Sequence, residues 1–145
     1  MDTDRKTMQA ILKRTCVPVL RGLGFKGSFP NFYRETAQFV ALANVQFALA
    51  GGSFCVNLGY ADPGRRNVPY KPETAPDKLS VSQTRERKRL GAVAGGDHWF
   101  VFGSASVTPY SDPVQPPDEL AARCAALLAS EAEEWWARMR VRPQN

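Results

Sequence analysis

The stretch "QFVALANVQFALAGGSFCVNLGY" (residues 38–60) decides the fold of this chain. In residues 38–49 every second residue is apolar, which is the period of an extended strand, and the same alternation returns in residues 54–60. The residues that share one face are Phe39, Ala41, Ala43, Val45, Phe47 and Leu49 in the first run, and Phe54, Val56, Leu58 and Tyr60 in the second. The Gly-rich "AGGS" between the runs predicts a turn, so the stretch predicts a β-hairpin. The other face of the first run is half apolar, and we expect both faces of the sheet to be covered.

This region carries no charge, which raises the question of a membrane segment. Residues 36–60 contain no charged side chain, but Asn44, Gln46 and Asn57 interrupt the apolar sequence and the glycines break it in the middle. A helix that crosses a membrane needs about 20 predominantly apolar residues in succession. The N-terminus is charged and has no apolar signal core. We therefore expect no membrane association and a cytoplasmic protein.

Helical patterns stand on either side of the strands. Apolar residues recur at three- and four-residue spacing from Met8 to Leu23, with Pro18 predicting a kink or an early end, and glycines following at 22 and 24. From Pro117 to about Met139 a second helix is predicted, because Pro stands at the first position and acidic residues fill the first turn. Three carboxylates of this helix are predicted to form a solvated face: Glu131, Glu133 and Glu134.

These patterns predict one α+β domain over residues 1–145. The expected architecture is a mainly antiparallel sheet of four to five strands, with the N-terminal and C-terminal helices packed on it. "FPNFYRET" (29–36), "SVSQTRERKRLGAV" (80–93) and "HWFVFGSASV" (98–107) are predicted to be further extended segments. Residues 61–79 contain four prolines and predict a basic surface loop, and residues 109–117 predict a linker to the C-terminal helix.

The charge pattern points to one candidate binding element. The chain has 19 Lys and Arg against 14 Asp and Glu, and "RERKR" (85–89) holds four of these cations with only Glu86 between them. In an extended strand Arg85, Arg87 and Arg89 share a face, and guanidinium groups bind carboxylates or phosphates through two parallel hydrogen bonds. The alternative is an edge strand kept from aggregating by its charge.

Catalytic and cofactor signals are weak by comparison. "GLGFKG" (22–27) matches the dinucleotide pattern G-x-G-x-x-G, but a helix precedes it and a strand follows, the reverse of the order that places a pyrophosphate at a helix N-terminus. His98 is the only histidine, and the cysteines at 16, 55 and 124 form no C-x-x-C pair, which predicts buried reduced thiols. We therefore assign no catalytic residue, no cofactor and no metal from the sequence.

Four segments together resemble a known family. They are "LGFKGSFPNFYRE" (23–35), "NVQ" (44–46), "FCVNLG" (54–59) and "RKRLG" (87–91), in this order within a region from about Ile11 to Trp99. They resemble the bacterial family named domain of unknown function 4304, which implies a small α+β domain without an established activity or ligand. The chain departs from the family pattern in its longer, more basic 61–79 loop and in "HWF" (98–100), where a tryptophan pair is more typical.

The resemblance singles out polar positions that serve as candidate binding residues, and we add Arg85 from the arginine run and Trp99 from the departing segment. The candidate set is Arg85, Arg87, Arg89, Asn57, Gln46, Tyr33, Arg34 and Trp99. Asn57 and Gln46 stand among apolar neighbours and need hydrogen-bond partners if they are buried, which arginines on the same sheet could supply.

The function expected from these observations is binding without catalysis. The partner would be a protein with an acidic surface, and the role that of an immunity-type or accessory protein, by analogy with other small α+β domains. One alternative is a binder of nucleic acid or a phosphate ligand through Arg85–Arg89, with a steep dependence on salt. A second is an enzyme with an unrecognised site. A monomer or a small homo-oligomer is expected.

Overall fold

The computed structural model describes residues 3–62, 74–93, 96–103 and 113–141. The strands are β1 (Lys26–Ser28), β2 (Asn31–Glu35), β3 (Val40–Phe47), β4 (Ser53–Ala61), β5 (Glu86–Arg89) and β6 (Phe100–Val101). The helices are α1 (Arg5–Gly22), α2 (Pro117–Leu127) and α3 (Glu133–Val141), and a π-helical turn at Leu128–Ala132 joins α2 to α3. Two short 3₁₀ turns, Pro76–Lys78 and Val81–Gln83, precede β5.

All strand pairs of the sheet are antiparallel, in the order β1-β2-β3-β4-β5, with β6 also paired to β4. Because β3 pairs along the whole of β4, β5 and β6 share the opposite edge of β4, β5 next to Asn57–Tyr60 and β6 next to Ser53 and Phe54. Strands β3 and β4, with the turn between them, form the predicted hairpin. The predicted α+β fold with an antiparallel sheet and helices at both ends of the chain is confirmed.

One face of the sheet carries the main core beneath the helices. Asp4 caps α1 by accepting a hydrogen bond from the amide of Thr7 at 2.7 Å. The helix continues through Pro18 to Gly22, so the predicted early end there is wrong. A proline removes one backbone hydrogen bond, but Cys16 and Leu20 on either side are buried in the core and hold the helix in place.

The C-terminal helix covers the same face. Trp136 is fully buried, its ring lies 5.1 Å from that of Phe25, and its Nε1 donates to the carbonyl of Gly59 at 2.9 Å. Two of the three carboxylates predicted to be solvated are engaged instead. Glu133 pairs with Arg34, and Glu131 accepts from the amide of Gly91. The helical period alone could not indicate this, because both partners come from distant parts of the chain.

The other face of the sheet divides into an apolar half and a polar half. At one end Leu79 and Val81, from the segment that carries the 3₁₀ turns, cover Val40, Leu42 and Ala61 in a second small core. At the other end the side chains are polar, and among the described residues no helix lies over them. Both faces of β3 are therefore covered only along part of its length.

Several sequence expectations differ from the structure or lie outside it. Residues 81–83 form a 3₁₀ turn, so the extended segment predicted over 80–93 reduces to β5, and the one predicted over 98–107 reduces to β6 within the described residues. Residues 63–73 of the predicted loop and 109–112 of the predicted linker lie outside the described residues. Within the described ranges, no helix is long and apolar enough to cross a membrane.

Candidate functional site

The polar half of the second sheet face forms an open cleft of about 850 Å³. Its floor is made by residues of β3 and β4, one wall by β5, and another by the 3₁₀ turn that carries Ser80 and Ser82. Arg5 at the start of α1 and the loop residue Asp97 complete the rim. The cleft is thus built from segments that are far apart in the sequence.

A straight row of polar side chains crosses the floor from β2 to β5. Asn31 lies directly opposite Asn44, Asn44 opposite Asn57, and Asn57 opposite Arg89. Residues directly opposite one another in an antiparallel pair point to the same face, so the register alone aligns these four side chains. Gln46 stands on the same face, two residues along β3 from Asn44.

Hydrogen bonds link the amides of this row. Asn57 Nδ2 donates to Asn44 Oδ1 and to Gln46 Oε1, at 3.0 Å in each case, and Asn44 Nδ2 donates to Asn31 Oδ1 at 2.7 Å. The amide oxygens of Asn31, Asn44 and Gln46 therefore all accept within the row. Each side-chain amide has two N–H hydrogens, so hydrogens of Asn31, Asn44 and Gln46 remain for a ligand.

Cys55 lies beneath this row and is fully buried. Its sulfur lies 3.9 Å from Gln46 Oε1 and 4.0 Å from Asn57 Oδ1. Burial raises the pKa of the Cys55 thiol to about 11, and the nearby Arg89 offsets only part of this rise. The thiol is therefore protonated at neutral pH, and it is not a nucleophile there.

Arg89 is held at the end of the row by an acidic and an aromatic partner. Its Nη1 lies 2.6 Å from Asp97 Oδ1, an ion pair without the geometry of a hydrogen bond, and its guanidinium lies 5.2 Å from the centre of the Trp99 ring. Asp97 also accepts from Trp99 Nε1 at 3.1 Å and from the amide of His98 at 2.8 Å. The three side chains form one unit at the wall of the cleft.

The arginine run does not present its charges on one face. Arg87 lies opposite Gly59 on the cleft side of β5, two residues from Arg89, whereas Lys88 lies opposite Leu58 and so points toward the helix face. Arg85 is exposed and precedes the strand. Lys88 Nζ donates to the carbonyl of Ala92 at 2.9 Å. Arg87 is exposed and makes no hydrogen bond or ion pair with any residue in the described part of the chain.

Tyr33 and Arg34, the two candidates on β2, lie elsewhere. Tyr33 packs against the small second core and lines smaller depressions next to Pro76 and Asp77. Arg34 points to the helix face, where its guanidinium donates to Glu133 at 2.6 and 3.2 Å and to the carbonyl of Leu23 at 2.9 Å. The contacts of Arg34 are those of a residue that holds the fold together.

The structure brings Gln46, Asn57, Arg87 and Arg89 to one cleft, with Trp99 behind Arg89. Sequence reasoning missed Asn31, Asn44 and Asp97 as members of the site. The N-x-Q spacing of 44–46 contained a signal for Asn44, because residues two apart on a strand share a face. Asp97 carried no such signal, since only the fold brings its loop to β5.

The cleft carries a net positive charge from its described residues. Among the described residues, three side chains place a positive charge in it, Arg5, Arg87 and Arg89, against the single carboxylate of Asp97. His98 is buried, and its ring packs edge-on against Phe100 at 4.8 Å. Within the described residues no group of three or more His, Cys, Asp or Glu side chains could hold a metal ion.

Core residues and cleft residues alternate within the four segments that carry the family resemblance. Leu58 and Leu90 are core residues, whereas Gln46, Asn57, Arg87 and Arg89 line the cleft.

No curated protein and no solved structure matches the chain. The family described as "Domain of unknown function (DUF4304)" matches residues 16–109, well over half of the chain and the region that contains β1 to β6. The chain belongs to this family.

Proposed function

We propose that the protein is a binding protein that recognises an acidic protein surface through the cleft on the polar half of its second sheet face. The observation that carries the proposal is the position of Arg87 and Arg89 on one face of β5, at the end of a row of side-chain amides. Guanidinium and amide N–H groups together favour an anionic partner with oxygen acceptors.

The charge of the cleft supports this proposal. Among the described residues, the cationic side chains of Arg5, Arg87 and Arg89 face it against one carboxylate, that of Asp97. Like charges in one cleft repel each other and raise the attraction for an anionic partner, which increases the rate of association and disfavours basic partners. By analogy with other small α+β domains, the role would be that of an immunity-type or accessory protein in the cytoplasm.

The two alternatives have less support. A nucleic-acid site would use the arginine run as a continuous patch, but Lys88 points away from the cleft and Arg85 lies outside the strand. An enzyme would need an activated group in the cleft, and the Cys55 thiol beneath its floor is protonated at neutral pH.

A capture experiment with two matched variants tests the proposal. Arg85→Ala and Arg87→Ala remove the same charge two positions apart, but only Arg87 lines the cleft. The wild type and both variants are immobilised, and cell extract treated with nuclease is passed over each. We expect acidic proteins that wild type and Arg85→Ala retain and Arg87→Ala loses. Identical retention by the two variants, or loss of all retention after nuclease treatment, would contradict a protein-binding cleft.

A further inference from the structure

The orientation of the amides defines the chemistry that the cleft can accept. In the row, the oxygens of Asn31, Asn44 and Gln46 accept hydrogen bonds from neighbouring side chains. The N–H hydrogens left over therefore supply donors to the cleft rather than acceptors. A ligand that donates hydrogen bonds, such as an ammonium group, finds few acceptors here, whereas a ligand with several oxygen acceptors is satisfied.

Arg87 adds a cation that no described side chain neutralises. Its guanidinium lies on the same face as the row, and the residue opposite is Gly59, which places no side chain between Arg87 and the floor. A Cβ at Gly59 would lie 3.0 Å from Thr84 Oγ1 and 3.4 Å from Leu42 Cβ, so the strand passes close under the adjoining 3₁₀ turn. Arg87 is thus exposed at the border between the covered half and the open half of the face.

The cleft already contains one anion, the carboxylate of Asp97. This carboxylate lies against Arg89 and accepts from the indole of Trp99, at 2.6 and 3.1 Å. A carboxylate therefore fits next to an arginine on this wall. Its fixed negative charge also opposes a second anion nearby, and it opposes a doubly charged phosphate more than a singly charged carboxylate.

We propose that Arg87, together with the outward N–H groups of Asn44 and Gln46, binds a carboxylate of an Asp or Glu side chain in an extended segment of the partner protein. This inference rests on the proposed function and narrows it from an acidic surface to a defined carboxylate subsite. The row from Asn31 to Arg89 crosses three strand spacings, or about 14 Å, which an extended segment of about four to five residues spans.

Peptide titrations with the purified full chain test the proposal. The probes are three labelled, otherwise identical peptides that carry glutamate, glutamine or phosphoserine at the same positions, and duplex DNA serves as a further probe. Binding is measured by fluorescence anisotropy at two salt concentrations. The side-chain NH₂ signals of the wild type, followed by NMR during the titration, report on Asn44 and Gln46 without any substitution.

We expect the glutamate peptide to bind and to shift the NH₂ signals of Asn44 and Gln46, and the glutamine peptide not to bind. Arg87→Ala should weaken binding at least about tenfold, equal to about 1.4 kcal/mol, and Arg85→Ala by less than about twofold, as for a remote surface charge. Arg87→Lys should recover only part of the affinity, because lysine keeps the charge but cannot donate two parallel hydrogen bonds to one carboxylate. Asp97→Asn should strengthen binding, since it removes the internal carboxylate beside Arg89.

Other outcomes overturn the inference in distinguishable ways. Equal losses in Arg85→Ala and Arg87→Ala, unshifted NH₂ signals, or weaker binding by Asp97→Asn would each reject the carboxylate subsite. Preference for the phosphoserine peptide, lost in Arg87→Ala, would reject the carboxylate but leave an acidic protein partner in place. Binding of duplex DNA alone, with the same dependence on Arg87, would reject both the inference and the proposed function.

Discussion

Asn57 on β4 and Asn44 on β3 face each other directly across the strand pair, and Asn57 Nδ2 donates to Asn44 Oδ1 at 3.0 Å. Leu42 lies two residues from Asn44 on the same face of β3 and is buried under the segment that carries the 3₁₀ turns. The sheet could thus have continued its small second core toward Asn44, and it presents linked amides to an open cleft instead. Polar residues at half-buried strand positions add little to stability, which agrees with the binding role that we propose for the row.

Replacement of Asn57 by Ala tests whether the amide row is mainly functional. Two hydrogen bonds are lost, but the freed oxygens of Asn44 and Gln46 border the open cleft and can bind water. We expect the free energy of unfolding to fall by about 1 kcal/mol. Leu58→Ala, the next residue along the strand, removes a fully buried core side chain and should cost about 2–5 kcal/mol.

Urea denaturation of both variants measures the difference. A loss in Asn57→Ala as large as that in Leu58→Ala would show that the row is part of the structural core. Unfolding slopes equal to that of the wild type would confirm that the denatured states are comparable.

Arg34 has the opposite character, and its replacement should mainly affect stability. Its side chain is 15% exposed, it bonds both oxygens of Glu133, and its guanidinium lies 4.7 Å from the centre of the Phe25 ring. Arg34→Ala leaves the Glu133 carboxylate half-buried without its partner, which should cost about 3 kcal/mol. Ligand binding in the cleft should be unchanged, because Arg34 points to the helix face.

The exposed pair Arg14–Asp118 provides the control for Arg34. Its side chains are 69% and 78% exposed at a distance of 3.2 Å, so Arg14→Ala should change the free energy of unfolding by less than about 1 kcal/mol. Thermal or urea denaturation compares the two variants. Equal effects would contradict a structural role for Arg34.

The sequence predicted the fold class and the central hairpin, because alternating apolar residues are a local signal that the chain itself carries. It failed where the outcome depended on distant contacts. Pro18 predicted a kink or an early end, but the helix continues to Gly22, and Glu131 and Glu133 were predicted to be solvated but bond Gly91 and Arg34. The conformation of residues 81–83 likewise depends on the sheet that they cover.

The candidate site was predictable in part. Of the six residues that the family resemblance singled out, four line one cleft, namely Gln46, Asn57, Arg87 and Arg89, whereas Tyr33 packs against the second core. Arg34 was in the same motif but points to the other face, a distinction that requires the register of β2. Asp97 could not be predicted, since its contact with Arg89 depends on where a loop between β5 and β6 is placed.

Gly91, directly after β5, offers a test of how tightly the wall of the cleft is built. Its φ is +87°, and a Cβ there would lie 2.7 Å from Cδ2 of His98, while its amide donates to Glu131. Gly91→Ala combines backbone strain with a collision against a buried ring, and we expect a loss of about 2–4 kcal/mol. Gly51→Ala has a similar φ of +81° but no atom within 4 Å of the added Cβ, and should lose only about 1 kcal/mol.

Thermal denaturation compares the two glycine variants. Equal losses would show that the positive φ alone, rather than the approach of His98, accounts for the cost at Gly91. Weaker peptide binding by a folded Gly91→Ala variant would further indicate that this turn positions Arg89.

The raised pKa of Cys55 predicts a loss of stability at alkaline pH. The pKa of the thiol has its usual value of 9.0 in the unfolded chain and is raised to about 11 in the folded protein. Between these values the folded state binds the proton and the unfolded state does not, so the free energy of unfolding falls as pH rises from 9.0 to about 11. With each unit of pKa worth 1.36 kcal/mol, the loss by about pH 10.5 should reach about 1–2 kcal/mol.

The variant Cys55→Ser isolates this contribution, because serine keeps the size of the side chain and does not ionise in this range. Urea denaturation under reducing conditions at pH 7.5, 9 and 10.5 gives the free energy of unfolding of both proteins. The wild type should lose more stability than the variant above pH 9, while below pH 8 the difference between them should be constant. Parallel curves over the whole range would mean that Cys55 ionises as readily in the folded protein as in the unfolded chain, and that the floor of the cleft is open to water.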